Sequence, residues 1–320
     1  MATVDIQLFR LGTRSILWFV VVFGLLFLVR VPFLLFHYVP YHLPFEPWVA
    51  LIPLVGMLWG VPAVLAVGAA TALGDWLGGL RGALPVFHAA GMMAWAWSAR
   101  SLWTGQKTDA NGTAARREAR PPSLLRGLAA WPRGDVGEDV APVTWSASLH
   151  FLAISVPGAL VAAAITALGA DIVRSYPFSY VAFISACNHL AYLLVFGMVL
   201  YRVFERELVP RFGSWDEYAG KSQRPSSLGM LLQVVGAAGA WGLGYLVAVW
   251  LGYPGRGPAV MGDTAGMRLL PGVLPFLVLF FIGLFLPRTG KRYARRPPGE
   301  PFPRLLVAAA VTRWKPPHWG

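Results

Sequence analysis

Charged residues and cysteine are scarce in this chain. Only 13% of its 320 residues are charged, and it has one cysteine, Cys187. A single cysteine excludes a disulfide framework and a cysteine-based metal site, and Cys187 lies in an apolar segment as a small packing residue. With 56% hydrophobic residues and a mean hydropathy of +0.56, the chain is far more apolar than a soluble domain. We therefore predict an all-α fold, a polytopic helical bundle embedded in a membrane.

The sequence also lacks common catalytic and nucleotide-binding motifs. It has no His-Glu-x-x-His, no Gly-x-Ser-x-Gly and no phosphate-binding glycine loop. We therefore expect no enzymatic activity and no ATPase within this chain. His88 and His189 lie in apolar segments, but two isolated histidines are too little to support haem binding. The histidines and acids show no diagnostic metal-ligand spacing, so we expect no cofactor and no metal.

Seven apolar segments are long enough to be candidate membrane spans. They cover about 16–36, 49–74, 84–103, 148–170, 178–204, 228–253 and 272–286, within a transmembrane domain of 1–287. Polar loops at 104–144 and 205–227 interrupt the series, and a basic tail follows at 288–320. The 228–253 segment carries several glycines, which predicts close packing against a neighbouring helix.

The distribution of basic residues predicts the orientation in the membrane. The two polar loops and the tail, with flanking Arg100 and Arg202, hold 20 of the 27 lysines and arginines. The positive-inside rule then places the C-terminus in the cytoplasm of a multi-pass inner-membrane protein. The net charge of +12 is therefore typical of contact with anionic lipids, and no nucleic-acid partner is expected.

The number of spans stays open between seven and six. Seven spans place Arg10 and Arg14 outside, against the positive-inside rule. A re-entrant or broken hairpin around Pro53 and Pro62 instead gives six spans with both ends inside. An internal repeat favours a single plain span: the run from Val61 to Asp75 resembles the run from Val156 to Asp171, and both carry Thr-Ala-Leu-Gly before an acid. A repeat of helical hairpins would bring Asp75 and Asp171 to the same, extracytoplasmic side.

Several polar residues near or within the apolar segments are candidate ligand-binding groups. Arg30 either snorkels to the interface or faces inward to meet a carboxylate or an anionic ligand. The aromatic, proline-rich loop from His37 to Trp48 is either part of an interfacial belt or a lid over a pocket. Intramembrane polar groups either bond between helices or contact a ligand. The candidates are Asp75, Asp171, His88, Asn188, His189, Arg30, Glu46 and Trp48.

One stretch resembles a known family. The run from Pro44 to Gly79, with its prolines, its glycines and the Gly74-Asp75 ending, is similar to the substrate-capture (S) components of energy-coupling-factor transporters. Pro177-Phe178 followed by Asn188 is similar to their second half. The resemblance covers about 40–103 and 177–204. The expected Gly-Pro turn is Gly60-Val61-Pro62 here, and an expected asparagine is replaced near Met92. The basic tail is extra, and seven spans would exceed their usual six.

The resemblance implies a bundle that binds a small vitamin-like or cofactor-precursor molecule from outside. It also implies a transmembrane coupling subunit and ATPases as partners, besides the small-molecule ligand and membrane lipids. Ala66 and Ala70, a small-xxx-small pair, would suit docking on that subunit, or else internal packing. The alternative function is a non-transporting membrane protein, either a sensor input or an assembly subunit that anchors a partner.

Overall fold

The computed structural model describes residues 13–34, 37–39, 43–44, 46–103, 145–173, 175–204, 226–250 and 265–286, all within one compact unit. The loops predicted at 104–144 and, apart from its last two residues, 205–227, and the tail at 288–320, lie outside the described residues. The helices are α1 (Thr13–Arg30), α2 (Ile52–Leu77), α3 (Leu84–Leu102), α4 (Trp145–Ile172), α5 (Phe178–Tyr192), α6 (Met198–Val203), α7 (Ser227–Ala238), α8 (Gly244–Trp250) and α9 (Ala265–Phe285).

Several of these helices are continuous with shorter segments. A π-helical turn, Leu193–Gly197, joins α5 to α6, and another, Gly239–Leu243, joins α7 to α8. A 3-10 helix, Val31–Phe33, extends α1, and a second, Pro47–Leu51, precedes α2. Between these two 3-10 segments, β1 (His37–Val39) and β2 (Leu43–Pro44) form a small antiparallel hairpin, with His37 opposite Pro44.

Five helical segments are long and apolar enough to cross a membrane: Ser15–Phe33, Pro47–Leu77, Ser148–Ile172, Phe178–Val203 and Ser227–Trp250. A shorter apolar helix covers Leu269–Phe285. These segments confirm the prediction of a predominantly helical membrane bundle, but not the predicted number of spans or the internal repeat. The last helix begins at Ala265, seven residues earlier than predicted, and both Pro271 and Pro275 lie inside it. Membrane helices tolerate such prolines when neighbouring groups satisfy the freed carbonyls.

The segment Pro47–Leu77 is folded back on itself. Gly60, inside α2, has φ 64° and ψ −141°, a conformation that side-chain-bearing residues rarely adopt. A straight helix of 31 residues would be about 46 Å long. Yet Glu46, just before the segment, and Asp75, near its end, both accept a hydrogen bond from Nη2 of Arg30. The segment is therefore a helical hairpin, with a first arm at residues 47–59 and a second arm at residues 61–77.

Contacts with α3 confirm the reversal of direction. In the first arm, Gly56 lies against the backbone of Ala96, and Glu46 lies beside His88, so this arm runs parallel to α3. In the second arm, Gly68 lies against Met93 and Asp75 lies beside His88, so this arm is antiparallel to α3. The apex at Gly60 is buried within the protein, which is the condition for irregular backbone at membrane depth.

The remaining helices alternate in direction. Gly91 of α3 contacts Ala162 and Thr166 of α4, while Gly158 contacts Trp95, so α3 and α4 are antiparallel. Phe151 of α4 stacks on Tyr201 of α6, and His189 of α5 contacts Ala159. The link between α2 and α3 and the link between α4 and α5 consequently lie at the same end of the bundle. Asp75 and Asp171 both lie at that end of the bundle.

Glycines bring α7 and α8 into close contact with their neighbours. A Cβ atom on Gly236 would lie 2.5 Å from the backbone nitrogen of Phe280 in α9, and one on Gly244 would lie 2.8 Å from Val273. Gly239 faces the ring of Phe276, whereas a Cβ on Gly242 would meet nothing within 4 Å. The predicted glycine-mediated packing is confirmed for three of these four positions.

Candidate functional site

An ion network is buried where α1, the helical hairpin and α3 meet. Nη2 of Arg30 donates to Oε1 of Glu46 at 2.9 Å and to Oδ1 of Asp75. Nη1 donates to the carbonyls of Ala70 and Thr71, at 3.2 and 2.6 Å. The carbonyl of Thr71 lies one turn before Asp75 on the same face of α2. One guanidinium therefore donates both to backbone carbonyls near the end of the second arm and to a carboxylate. We call Arg30, Glu46, Asp75 and His88 the Arg30 network.

The position of Arg30 decides between its two predicted orientations. Arg30 is 2% exposed, and its guanidinium carbon lies 4.9 Å from the ring centroid of Trp48. It therefore faces inward and meets carboxylates, as one of the two hypotheses proposed, and it does not snorkel. Trp48 is 1% exposed, so it belongs to the core and not to an interfacial belt. A cation over an indole face adds attraction in a site from which water is excluded.

His88 connects the Arg30 network to α3. Its Nδ1 lies 2.8 Å from Oδ2 of Asp75, and its Nε2 lies 3.9 Å from Oε2 of Glu46. An ionised carboxylate can only accept a hydrogen bond, so Nδ1 carries a proton and donates it to Asp75. Asp75 thereby accepts from Arg30 on one oxygen and from His88 on the other.

A cavity of about 70 Å³ lies next to the Arg30 network. Glu46 and Val49 form the side toward the hairpin, and His88 forms the side toward α3. The wall is completed by residues of α4 and α5, of the link before α3 and of the link before α5. The other lining residues are Leu80, Leu84, Thr166, Ala170, Tyr176, Val181, Ser185, Asn188, His189 and Tyr192. The cavity therefore lies between the hairpin and the α4–α5 pair, at the end of the bundle that holds Asp75.

The structure brings several of the predicted site residues to this cavity. Glu46, His88, Asn188 and His189 line it. Nδ1 of His189 lies 3.3 Å from the carbonyl of Ala159, and its ring lies 4.9 Å from that of Trp95. The hydrogen bond to a carbonyl fixes a proton on Nδ1 and leaves Nε2 as an acceptor.

Tyr176 is part of the cavity wall. It lies in the link between α4 and α5, and its ring lies 6.2 Å from that of Tyr180. Burial raises the pKa of Tyr176, and the neighbouring Tyr180 raises it further. The phenol therefore stays protonated near neutral pH.

The two acids of the sequence repeat have different surroundings. Asp75 is 1% exposed and belongs to the Arg30 network, whereas the carboxylate of Asp171 accepts a hydrogen bond from the backbone of Phe178 at the start of α5. One extra residue separates Asp171 from Thr166, compared with Asp75 from Thr71, and this turns the acid by about 100° around its helix. Neither acid is among the residues that line the cavity, whereas Glu46, another of the predicted candidates, does line it.

Ala66 and Ala70, the predicted docking pair, are buried. Both side chains are 0% exposed, and the carbonyl of Ala70 accepts a hydrogen bond from Arg30. A partner subunit cannot touch them in this conformation. Their small size serves internal packing of the second arm, which is the alternative that the sequence left open.

Sequence reasoning missed four polar residues of the cavity wall: Thr166, Tyr176, Ser185 and Tyr192. Helical spacing could have found two of them, because Ser185 lies three and four residues before Asn188 and His189, and Tyr192 lies one turn after them.

Sequence reasoning also missed a second polar cluster. Ser98 and Ser101 of α3 donate to Oε1 of Gln233, whose amide donates to the carbonyl of Gly283. This cluster joins α3, α7 and α9 and is satisfied internally.

Within the part of the chain that the structure describes, no group of three or more histidine, cysteine or acidic side chains is arranged to hold a metal ion. Arg30 lies between the carboxylates of Glu46 and Asp75 and fills the position that a cation would need. Comparison of the chain with protein-family models, with curated proteins and with solved structures found no match.

Proposed function

We propose that this membrane protein is the substrate-binding component of a small-molecule uptake system. The observation that carries this proposal is the cavity beside the Arg30 network. Polar cavities inside a membrane bundle require partners for their hydrogen-bonding groups, because unpaired polar groups there are costly. A cavity whose wall includes a carboxylate, two imidazoles, an amide and several hydroxyls is suited to a small polar ligand.

The helical hairpin supports six full crossings with both ends of the bundle on the cytoplasmic side. In this arrangement α1, α3 and α4, the α5–α6 and α7–α8 helices, and α9 cross the membrane, and the hairpin enters and leaves from outside. Arg10 and Arg14 then join the 20 basic residues of the loops and tail on the inside, which removes their conflict with the positive-inside rule. In this orientation the cavity lies toward the extracytoplasmic end of the bundle, where an uptake ligand arrives.

The resemblance to energy-coupling-factor S components agrees with this proposal in two respects. Six crossings is the number typical of that family, and the residues that carry the resemblance include Glu46, Asp75 and Asn188, which form or adjoin the cavity. A transmembrane coupling subunit with its ATPases would then supply the energy. The repeat of helical hairpins remains part of the proposal. Its first unit is the second arm followed by α3, its second unit is α4 followed by α5, and the two units run in the same directions.

The proposal is tested by ligand binding in a protein whose cavity is filled. Purified protein in lipid nanodiscs is screened by thermal shift against vitamins, cofactor precursors, nucleobases, amines and carboxylates. Ser185→Phe places a ring in the cavity, because Ser185 is 7% exposed and lines it. Cys187→Phe places the same ring on the exposed side of α5. A compound that stabilises the native protein should also stabilise Cys187→Phe and should not stabilise Ser185→Phe.

The alternative function predicts a different result. A sensor or assembly subunit should show no cavity-dependent ligand, and removal of residues 288–320 should abolish its activity in cells. If no compound binds while deletion of the tail abolishes a partner complex, the uptake proposal is wrong. If a compound stabilises all three proteins equally, it does not bind in this cavity and the proposal loses its support.

A further inference from the structure

We infer that the ligand of this cavity is a small neutral carboxamide, a molecule that donates and accepts hydrogen bonds without carrying a charge. This inference rests on the proposed capture function and specifies its substrate class. The recognition element is the α4–α5 side of the cavity, where the uncharged polar residues Thr166, Ser185 and Asn188 line the wall.

Thr166 carries a hydroxyl group that the described part of the protein leaves unpaired. Its Oγ1 is buried and has no hydrogen-bond partner among the described residues. The corresponding threonine of the sequence repeat, Thr71, donates to the carbonyl of Val67 at 2.7 Å, one turn earlier in its own helix. A buried hydroxyl without a partner costs free energy. Because Thr166 lines the cavity, a ligand there can supply the missing hydrogen bond.

One face of α5 adds an amide and a second hydroxyl. Ser185 and Asn188 are three residues apart, so they lie on the same face of the helix, and both line the cavity. Neither side chain forms a hydrogen bond to another described residue. The amide of Asn188 presents an acceptor, Oδ1, and a donor, Nδ2, in one plane. A carboxamide ligand offers a donor to the first and an acceptor to the second, so the two amides can form a pair of hydrogen bonds.

The charges around the cavity favour a neutral ligand in either protonation state of His88. The Arg30 network has no net charge when His88 is protonated and one net negative charge when His88 is neutral. The described lining residues include no lysine or arginine, so an anion would remain unpaired. Glu46 is the only acid among them, and a cation would have to share it with Arg30, which lies 2.9 Å away. A neutral ligand needs no buried counter-charge.

The size of the cavity and its apolar residues limit the rest of the ligand. A site needs roughly 10–15 Å³ for each water-sized group, so about 70 Å³ accommodates roughly five to seven such groups. The apolar lining residues are Val49, Leu80, Leu84, Ala170 and Val181. A carboxamide with a short hydrocarbon substituent therefore fits both the volume and the wall.

The test uses probes of one shape that differ in charge or in hydrogen-bonding groups. At neutral pH, acetamide, acetamidinium and acetate share a planar shape and are neutral, positive and negative, respectively. Acetone has this shape and is neutral, but it carries no N–H group. Each probe is titrated through the millimolar range, at matched ionic strength, into the full-length protein in nanodiscs. Tryptophan fluorescence and calorimetry follow binding, and we expect acetamide to bind at least about tenfold more tightly than each of the other probes.

Asn188→Leu tests whether the amide on α5 recognises the ligand. Leucine keeps the approximate size of the side chain but removes both hydrogen-bonding groups, so acetamide binding should weaken at least about tenfold. Cys187→Leu is the matched control, because it places the same side chain on the exposed side of α5. Cys187→Leu should bind acetamide with the affinity of the native protein.

Thr166→Val distinguishes ligand contact from a structural role. Valine has the shape of threonine without the hydroxyl, so acetamide binding should weaken about threefold to tenfold. The melting temperature of the ligand-free protein should stay the same or rise, because the variant removes a buried hydroxyl that has no partner among the described residues. A hydroxyl with a structural role would instead lower the melting temperature when it is removed.

The outcomes separate this inference from the capture proposal. If acetamidinium, acetate or acetone binds as tightly as acetamide and Ser185→Phe abolishes that binding, the carboxamide assignment is wrong and the capture function stands. Acetamide binding that survives in Ser185→Phe, or that is unchanged in both Asn188→Leu and Thr166→Val, would equally contradict the assignment. If no probe binds, the assignment is again wrong, and the wider compound screen decides the capture function independently.

Discussion

Glu46 and Asp75 accept hydrogen bonds from the same nitrogen of Arg30, although they flank opposite ends of the Pro47–Leu77 segment. This relationship requires the segment to reverse at Gly60. It also places two carboxylates and a guanidinium where the hairpin, α1 and α3 meet. The hairpin and the ion network therefore stabilise each other, and the cavity is built against their common surface.

Removal of the shared cation should destabilise the protein strongly. Arg30→Met keeps the length of the side chain but leaves Asp75 and Glu46 as neighbouring buried charges, which should cost about 3–5 kcal/mol of unfolding free energy. The control is Arg81→Met, because Arg81 is exposed and its side chain donates to the carbonyl of Trp76; it should cost less than about 1 kcal/mol. Unfolding in detergent measures both variants, and equal losses would contradict the importance of the Arg30 network.

The reversal at Gly60 should not tolerate a side chain. Gly60→Ala forces an L-residue to φ 64°, which should cost about 1–3 kcal/mol. Gly24→Ala in α1 is the matched control, because a Cβ there meets nothing within 4 Å and alanine is the better helix former. Gly24→Ala should be neutral or slightly stabilising in thermal unfolding. A neutral Gly60→Ala would argue against the hairpin.

Close packing of α7 against α9 should depend on one glycine and not on its neighbour. Gly236→Ala places a methyl group 2.5 Å from the backbone of Phe280, so the helices must separate, at a cost of about 1–3 kcal/mol. Gly242→Ala lies in the same continuous helix but meets open space. The difference in melting temperature between the two variants measures this contact, and it should vanish if α9 packs elsewhere.

The two acids of the sequence repeat should respond differently to neutralisation. Asp75→Asn removes a charge that pairs with Arg30 and His88, and it should cost about 3 kcal/mol. Asp171→Asn retains an acceptor for the backbone of Phe178, and asparagine is as good a capping residue as aspartate, so the loss should stay below about 1 kcal/mol. Urea unfolding of the two variants in mild detergent compares them. A larger loss for Asp171→Asn would contradict this assignment of roles.

The six-crossing topology can be tested with single cysteines. In a Cys187→Ala background, Arg81→Cys should react with a membrane-impermeant maleimide on intact cells, because the proposed topology places the α2–α3 link outside. Thr13→Cys and Leu286→Cys should react only after lysis. Labelling of Thr13→Cys on intact cells would support seven crossings instead.

The membrane class and most helix positions could be predicted from the sequence, because both depend on the local density of apolar residues. The intervals predicted at 84–103 and 178–204 agree with the observed helices within one or two residues. An inward-facing Arg30 could also be predicted, since a buried arginine needs a carboxylate. Its pairing with both Glu46 and Asp75 could not be predicted, because that pairing depends on how the hairpin folds.

What the sequence determined by itself is the apolar helical bundle, the concentration of basic residues in the polar loops and the tail, and the set of polar side chains that must find partners inside the bundle. Only the tertiary structure decided how those partners are assigned. A single glycine reverses the Pro47–Leu77 segment, and this reversal brings Glu46 beside Asp75. One additional residue before Asp171 turns it toward the start of α5. The positions of both residues depend on backbone angles and helix rotation, which apolar periodicity does not encode.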